Sequence, residues 1–510
     1  MPEIYQSIAQ HYHERTKYDP ETLASKSQRL DWAKQPVPFK EYKIGAAIDL
    51  KPYLQEAPEA FVNDANGQWW KRLSRLLFRS YGLTARMPSM GNTVYLRAAP
   101  SAGGLYPAEV YLVSRGTPLL PPGLYNYQCR THSLMHYWES DVWQSLQEAC
   151  FWHPALDNTQ LAIIVTAVFY RSAWRYEDRA YRRICLDTGH LLGNIELAGA
   201  IADYRPHLIG GFVDEAVNDL LYIDPLQEGA IAVLPLADLL DIQQNLPRGC
   251  TALPSATETT YPQIPDGELL KYFHRHTQIS PSISGKLNLP TVKQEKSLED
   301  KYNFPFCLKI PTATTPIQWG EKLTDLEITM HKRRSTRAYN GEELTLDELK
   351  ALLDFTYQPQ NYIDQNLDTS PDYFDLNLIE TFIAVCGVKG LEAGCYYYAP
   401  KAQELRQIRF KNFRRELHFL CLGQELGRDA AAVIFHTSDL KSAIAQYGDR
   451  VYRYLHMDAG HLGQRLNLAA IQLNLGVSGI GGFFDDHVND VLGIPADEAV
   501  IYITTLGRPR

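Results

Sequence analysis

The stretch Tyr452–Val491, "YRYLHMDAGHLGQRLNLAAIQLNLGVSGIGGFFDDHVNDV", decides the fold because the chain carries it twice. Tyr181–Leu220 reads "YRRICLDTGHLLGNIELAGAIADYRPHLIGGFVDEAVNDL", 271 residues earlier and without a gap. Sixteen of the 40 positions are identical, among them Asp-x-Gly-His-Leu, Ile-Gly-Gly-Phe-x-Asp and Val-Asn-Asp. The same offset pairs Gly123, Tyr125 and Tyr127 with Gly394, Tyr396 and Tyr398, and Glu109 with Glu380. A repeat of this length is a domain rather than a short solenoid unit. The 510 residues therefore divide into a first copy (1–250), a connecting linker rich in Pro, Ser and Thr (251–304) and a second copy (305–510). Two fused copies of one domain mimic a two-fold homodimer, so an intrachain pseudo-homodimer is expected, with further oligomerisation left open.

Composition excludes several classes. A net charge of −9 argues against a nucleic-acid partner, which needs a surplus of Lys and Arg. No apolar run is long enough to span a membrane, and "MPEIYQSIAQHYHERTKY" lacks the apolar core of a secretion signal, so a cytoplasmic protein is expected. The eight cysteines are scattered without a Cys-x-x-Cys pair and read as reduced, buried thiols; no metal site is expected.

The local pattern is mixed, as in an α+β domain. Glu109–Ser114, Leu161–Phe169 and Ala499–Leu506 are apolar and β-branched and read as strands. Leu344–Tyr357 reads as a helix, with Thr345 and Glu348 spaced as a capping box. Tyr452–Leu475 reads as a long helix stopped by Gly476, apolar on enough faces to be buried.

Function is sought where the copies differ. The second copy carries His331-Lys332-Arg333-Arg334-Ser335-Thr336-Arg337, a cluster suited to a phosphate because arginine offers a planar fork of donors and keeps its charge. The first copy has Ala57–Phe61 or Val62–Asn66 there, without a cation. The second copy ends in Gly507-Arg508-Pro509-Arg510, against Leu236-Ala237 in the first. The trade reverses at Pro100-Ser101-Ala102-Gly103-Gly104, a flat small-residue platform that the offset pairs with Pro371-Asp372-Tyr373-Phe374-Asp375. One copy keeps an anion clamp and the other a platform on which a planar anionic ligand can lie. Complementary losses of this kind leave one complete site and one dead site.

These motifs resemble the nitroreductase superfamily, and within it the SagB/ThcOx dehydrogenases that act on thiazole- and oxazole-modified peptides. "PSAGGLYPAEVYLV" (Pro100–Val113), Tyr176–Arg182 with Asp187–His190, Tyr447–Arg453 with Asp458–His461, and "HKRRSTRAYNGEELTLDEL" (331–349) carry the resemblance. It implies two tandem α+β, FMN-dependent domains, with one FMN per chain. Arg333, Arg334, Ser335, Arg337 and Arg508 would hold the FMN phosphate and ribityl. Pro100, Ser101, Ala102, Gly103 and Gly104 would face the flavin from the first copy, and Gly479, Ile480, Gly481 and Gly482 would run along its ring. The first copy has Leu208 in place of that first glycine.

The resemblance implies an oxidoreductase passing a hydride between flavin and a small-molecule or peptide-derived substrate, either by dehydrogenation or with NAD(P)H as the electron donor. In the peptide-oxidising relatives a Lys-Tyr pair serves proton transfer. Here the pairs are Arg175-Tyr176 and Gln446-Tyr447. Arginine cannot act as a general base. Tyr176, with Arg175, is the first choice for a substrate-side group and Tyr447 the second. The rival is a non-catalytic flavoprotein or scaffold in a peptide-modification complex. His190, His461, Asp214 and Asp485 recur in both copies and read as structural.

Overall fold

The computed structural model of the chain describes residues 7–25, 30–54, 64–89, 92–240, 250–281 and 298–510. The chain forms two compact units. One comprises Asp31–Gln294 with Asp372–Phe374, and the other Met1–Leu30, Glu295–Pro371 and Asp375–Arg510.

Each unit holds a seven-stranded sheet. In the first the order is Ala46–Asp49, Ser133–Trp138, Gly123–Gln128, Ala108–Ser114, Leu161–Val168, Glu228–Asp238 and Tyr204–Pro206, and every pairing is antiparallel. In the second it is Lys309–Pro311, Glu404–Arg409, Gly394–Ala399, Glu380–Val385, Ala432–Asp439, Glu498–Gly507 and Gly476–Ile480, again antiparallel throughout. Leu161–Val168 and Ala432–Asp439 are buried along nearly their whole length, which is why they read as unbroken apolar runs rather than alternating ones. The tyrosines at 125, 127, 396, 397 and 398 are buried sheet residues.

The helices Ala180–Ile201 and Val451–Gln472 begin 271 residues apart. Every residue from Val451 to Ala470 is buried, so apolar and small side chains occupy all faces. The second helix ends at Gln472, and Gly476 opens a strand instead of stopping the helix. An added Cβ at Gly476 would lie 2.8 Å from Thr336 Oγ1, so close strand packing is what requires this glycine. The capping box forms as spaced: Glu348 N donates to Thr345 Oγ1 at 3.1 Å, and Thr345 N to Glu348 Oε2 at 2.8 Å.

The domain limits need correction. The first thirty residues group with the second copy. The segment 251–281 is not a free linker, because Ala252, Leu253, Ile264, Leu269, Leu270, Phe273 and Ile279 are buried. Two short helices explain this. In Ile8–Arg15, Ala9 N donates to Asp449 Oδ1 (3.1 Å) and His13 Nδ1 meets Tyr452 Oη (3.1 Å); beyond it, Tyr18 N donates to Asp485 Oδ2 (2.9 Å). In Leu269–His276, Leu270 N donates to Asp178 Oδ1, His274 Nδ1 meets Tyr181 Oη, and beyond it Ile279 N donates to Asp214 Oδ2, each at 2.9 Å. The anchors Asp178, Tyr181 and Asp214 are the 271-residue counterparts of Asp449, Tyr452 and Asp485. The helix that precedes each copy in sequence thus belongs to the unit of the other copy, and the recurring aspartates serve as its backbone acceptors.

Candidate functional site

The small-residue motif forms a tight turn. Ala102–Gly104 is a single 3₁₀ turn capped by Ser101. Gly103 and Gly104 have φ of +65° and +66°, and Tyr106 follows at +46°. Glycine is required there because a Cβ disfavours this region. Two groups fix the turn. Asp187, on the buried helix, accepts from Ser101 Oγ (2.6 Å) and Ala102 N (3.0 Å), and Ser101 Oγ accepts from Tyr106 N (2.8 Å). Burial drives the Asp187 carboxyl up to about 7, against these hydrogen bonds and the charge of Arg183. From the other side, Arg171 Nη1 donates to Tyr106 O (3.0 Å), and Arg171 pairs with buried Glu109 at 2.6 Å.

Arg171 lies on the helix Phe169–Tyr176, whose end carries Arg175 and Tyr176. Both converge on the glycine turn. A Cβ at Gly103 would sit 2.8 Å from Tyr176 Oη and 3.6 Å from Arg175 Cδ, whereas one at Gly104 would meet nothing within 4 Å. The Arg183 guanidinium carbon stands 3.8 Å from the centre of the Tyr176 ring. Arg175 is exposed and Tyr176 half-buried. The structure therefore brings Arg175, Tyr176 and the Ser101–Gly104 turn together.

The second copy differs at every one of these points. Tyr447 is buried, and its hydroxyl donates to Asp375 Oδ2 at 2.9 Å. Asp375 caps the 3₁₀ turn Leu376–Leu378, and its own N donates to Asp458 Oδ2 (3.0 Å). Asp458 is the counterpart of Asp187. By role, Asp375 thus matches Ser101 and not Gly104, which corrects the ungapped pairing of this motif. The rest of the acidic motif lies in the first unit. Asp372 pairs with Arg205 (3.2 Å) and accepts from Leu208 N (3.0 Å), and Thr251 Oγ1 donates to Tyr373 O (2.8 Å). Burial opposes the charge of Asp372, but Arg205 and His207 outweigh it and hold the carboxyl below its usual range. The Leu208–Gly211 loop, first-copy partner of Gly479–Gly482, is thereby covered by the chain itself.

The proposed anion clamp is assembled within the second unit. Arg333 is buried just after the helix Thr324–Lys332, Ser335 is half-buried and Arg337 exposed. The segment runs beside two strand ends: Thr336 N donates to Val477 O (2.8 Å), Asn340 N to Arg508 O (3.0 Å) and Arg510 N to Ala338 O (3.1 Å). This places Arg333–Arg337 next to the Gly476–Ile480 strand and to Arg508. Arg334 departs from expectation, since its Nη1 donates to the carbonyls of Arg333 (2.6 Å) and His331 (3.2 Å). Arg508 pairs with Glu348 Oε2 at 2.9 Å. Gly479 is exposed, and a Cβ there would lie 1.8 Å from Tyr502 Oη, so the glycine lets the tyrosine close against the strand.

The first-copy counterpart of Arg508 is Asp238, not Ala237. Leu161 faces Leu236 and Ala432 faces Leu506, so the last strand is shifted by one residue. Asp238 is bound by both Nη atoms of Arg72 (3.1 and 2.6 Å). The strand-end charge is inverted between copies, and the first lacks a cation at this place. Ala57–Phe61, Val62 and Asn63 lie outside the described residues; Asp64 caps the helix Ala65–Tyr81.

The nitroreductase family model matches residues 59–237 and 330–508, two spans 271 residues apart that together cover most of the chain. The chain belongs to the nitroreductase family. It is 88% identical to a candidate nitroreductase from Anabaena variabilis whose crystal structure it matches at a TM-score of 0.94, over 99% of this chain and 100% of that one. A candidate nitroreductase of Methanocaldococcus jannaschii is 32% identical over 183 residues, 36% of this chain and 90% of that protein. The trifolitoxin-processing protein TfxF of Rhizobium leguminosarum is 26% identical over 160 residues, 31% of this chain and 53% of its own length. The nitroreductase domain thus occurs twice in tandem.

Among the described residues no three His, Cys, Asp or Glu side chains group as a metal site, and no helix is long and apolar enough to cross a membrane. Six of the cysteines are buried, and Cys250 and Cys307 only partly so. Sequence reasoning missed Asp187, Arg171 and Glu109, which hold the turn and the Tyr176 helix. Their signal was a buried charged residue on an otherwise apolar element.

Proposed function

We propose that the chain is a cytoplasmic FMN-dependent oxidoreductase with one composite site. Arg333, Ser335, Arg337 and Arg508 would bind the FMN phosphate and ribityl, and Gly479–Gly482 would follow the ring. The Ser101–Gly104 turn would face the ring from the first copy. The fit is supported by the donor set beside Arg508 and by the open space over Gly104. FMN, when bound, supplies acceptance and donation of a hydride.

The chain's own residues position and protonate. Asp187 and Arg171 keep the turn and the Tyr176 helix in register. Tyr176 Oη, backed by the Arg183 guanidinium, exchanges a proton with the substrate. Arg175 stays charged and orients the substrate without acting as a base. The observation that carries this reading is the contrast between copies: Tyr176 opens onto a glycine turn, while Tyr447 is buried under Asp375.

The substrate class proposed is a small molecule or a peptide-derived group, oxidised as in SagB/ThcOx enzymes or reduced with NAD(P)H. Relatives named for trifolitoxin processing favour the peptide. A non-catalytic flavoprotein in a peptide-modification complex is favoured by one fact alone, the arginine where a lysine precedes the tyrosine. Anaerobic titration of the yellow protein with NADPH decides. Bleaching, and recovery of colour on adding a nitroaromatic or quinone, supports the enzyme; bound FMN that neither NADPH nor candidate peptides reduce supports the scaffold.

A further inference from the structure

We infer that Arg175 and Tyr176 form a seat for a carboxylate of the substrate, and that Asp375 is the chain's own occupant of the matching seat in the second copy. There, the Asp375 carboxylate accepts from Tyr447 Oη (2.9 Å) and from Gln446 Nε2 (3.3 Å) on the same oxygen. Its place is fixed by the Asp375 N bond to Asp458. The Tyr-and-neighbour pair at the end of this helix is therefore a working carboxylate receptor, shown with its ligand tethered.

The first copy keeps the tyrosine, turns the amide into a guanidinium and sends no acid into the pair. Gly103 stands where a side chain would meet Tyr176 Oη. The change from Gln446 to Arg175 suits a ligand that is not tethered. A free carboxylate loses translational and rotational freedom on binding, and a charge-assisted, forked contact offsets more of that loss than an amide does. The surroundings agree in sign. Arg183 lies against the Tyr176 ring, Asp178 accepts from Gly267 N and Leu270 N, and Asp187 accepts from Ser101 and Ala102. Exposed Glu177 is the remaining adjacent acid. The seat deepens the reading above by naming a substrate feature, and it rests on Tyr176 being the substrate-side residue.

The carboxylate could belong to a small acid or to a peptide terminus. Calorimetric titration of the protein as purified, with its FMN content measured by absorbance, uses benzoate against benzamide and N-acetylphenylalanine against its amide. Each acid is expected to bind at least tenfold more tightly than its amide. The preference should fall at least tenfold in Arg175→Gln and in Tyr176→Phe, and survive within about threefold in Arg175→Lys. Preference for benzoate alone assigns the seat to small acids; preference for both extends it to peptide termini. Acids and amides bound alike, or a preference untouched in Arg175→Gln, would overturn the seat. Selective binding in a sample that takes up no FMN would keep the seat and remove the flavin reading instead.

Discussion

Replacing Gly103 and Gly104 by alanine, one at a time, separates backbone strain from contact with Tyr176. Both residues lie near φ +65°, so each alanine costs roughly 1–2 kcal/mol of folding stability through its Cβ alone. The two differ in what the new methyl meets. At Gly104 it meets nothing within 4 Å, while at Gly103 it lies 2.8 Å from Tyr176 Oη. Tyr176 must give way, and it is held against Arg183 at 3.8 Å. Pushing such a side chain off its rotamer adds about 0.5–1.5 kcal/mol. Gly103→Ala should therefore unfold at a lower urea concentration than Gly104→Ala, read by tryptophan fluorescence. It should also lose most of its kcat/KM. Gly104→Ala should instead weaken FMN binding, because its methyl enters the space proposed for the ring. Equal unfolding midpoints together with unchanged turnover in Gly103→Ala would refute the placement of Tyr176 against the turn.

Other outcomes follow from the same geometry. Asp187 titrates near 7 in the folded chain against an ordinary value of 3.8. The raised value means the folded state holds its proton, so this group's stabilisation is complete below pH 4 and is lost as pH rises towards 7, by roughly 4 kcal/mol in all. Asp187→Asn should flatten that part of the stability–pH curve in urea melts between pH 4 and 8; an unchanged slope would show that Asp187 is not the titrating group. Arg337→Ala should weaken FMN binding by about 2 kcal/mol, as expected for losing a charge-assisted hydrogen bond, measured by fluorescence quenching of the flavin. Unaltered affinity would take Arg337 out of the clamp.

Much of the fold is legible in the sequence because the repeat is long and ungapped through its central helix. Continuous apolar runs such as Leu161–Val168 announce buried strands, and Thr345 with Glu348 marks a helix start. The leading helices escape notice. They are short, mix His and charged residues with apolar ones, and lie 261 rather than 271 residues apart, as with His13 and His274. Their burial comes from aspartate acceptors far away in sequence, which local pattern does not reveal. The one-residue slip that sets Asp238 opposite Arg508 is likewise invisible, because it arises from an irregularity in strand pairing between Val165 and Thr166.

The site is legible in its parts and not in its connections. Asymmetry between copies singles out Ser101–Gly104, Arg333–Arg337 and Arg508, and the same comparison raises Tyr176 above Tyr447 once Asp375 is seen on the Tyr447 hydroxyl. Composition gave no sign that Arg334 folds back onto carbonyls or that Arg508 pairs with Glu348. Those are choices among rotamers of long side chains, set by neighbours and not by spacing.

The most direct measurement is the ratio of FMN to polypeptide, from the absorbance of flavin released by denaturing protein reconstituted with excess FMN. One per chain is predicted, since the first copy has Asp238 in place of Arg508 and its Leu208–Gly211 loop is covered by Asp372–Phe374. Two per chain would contradict the single composite site.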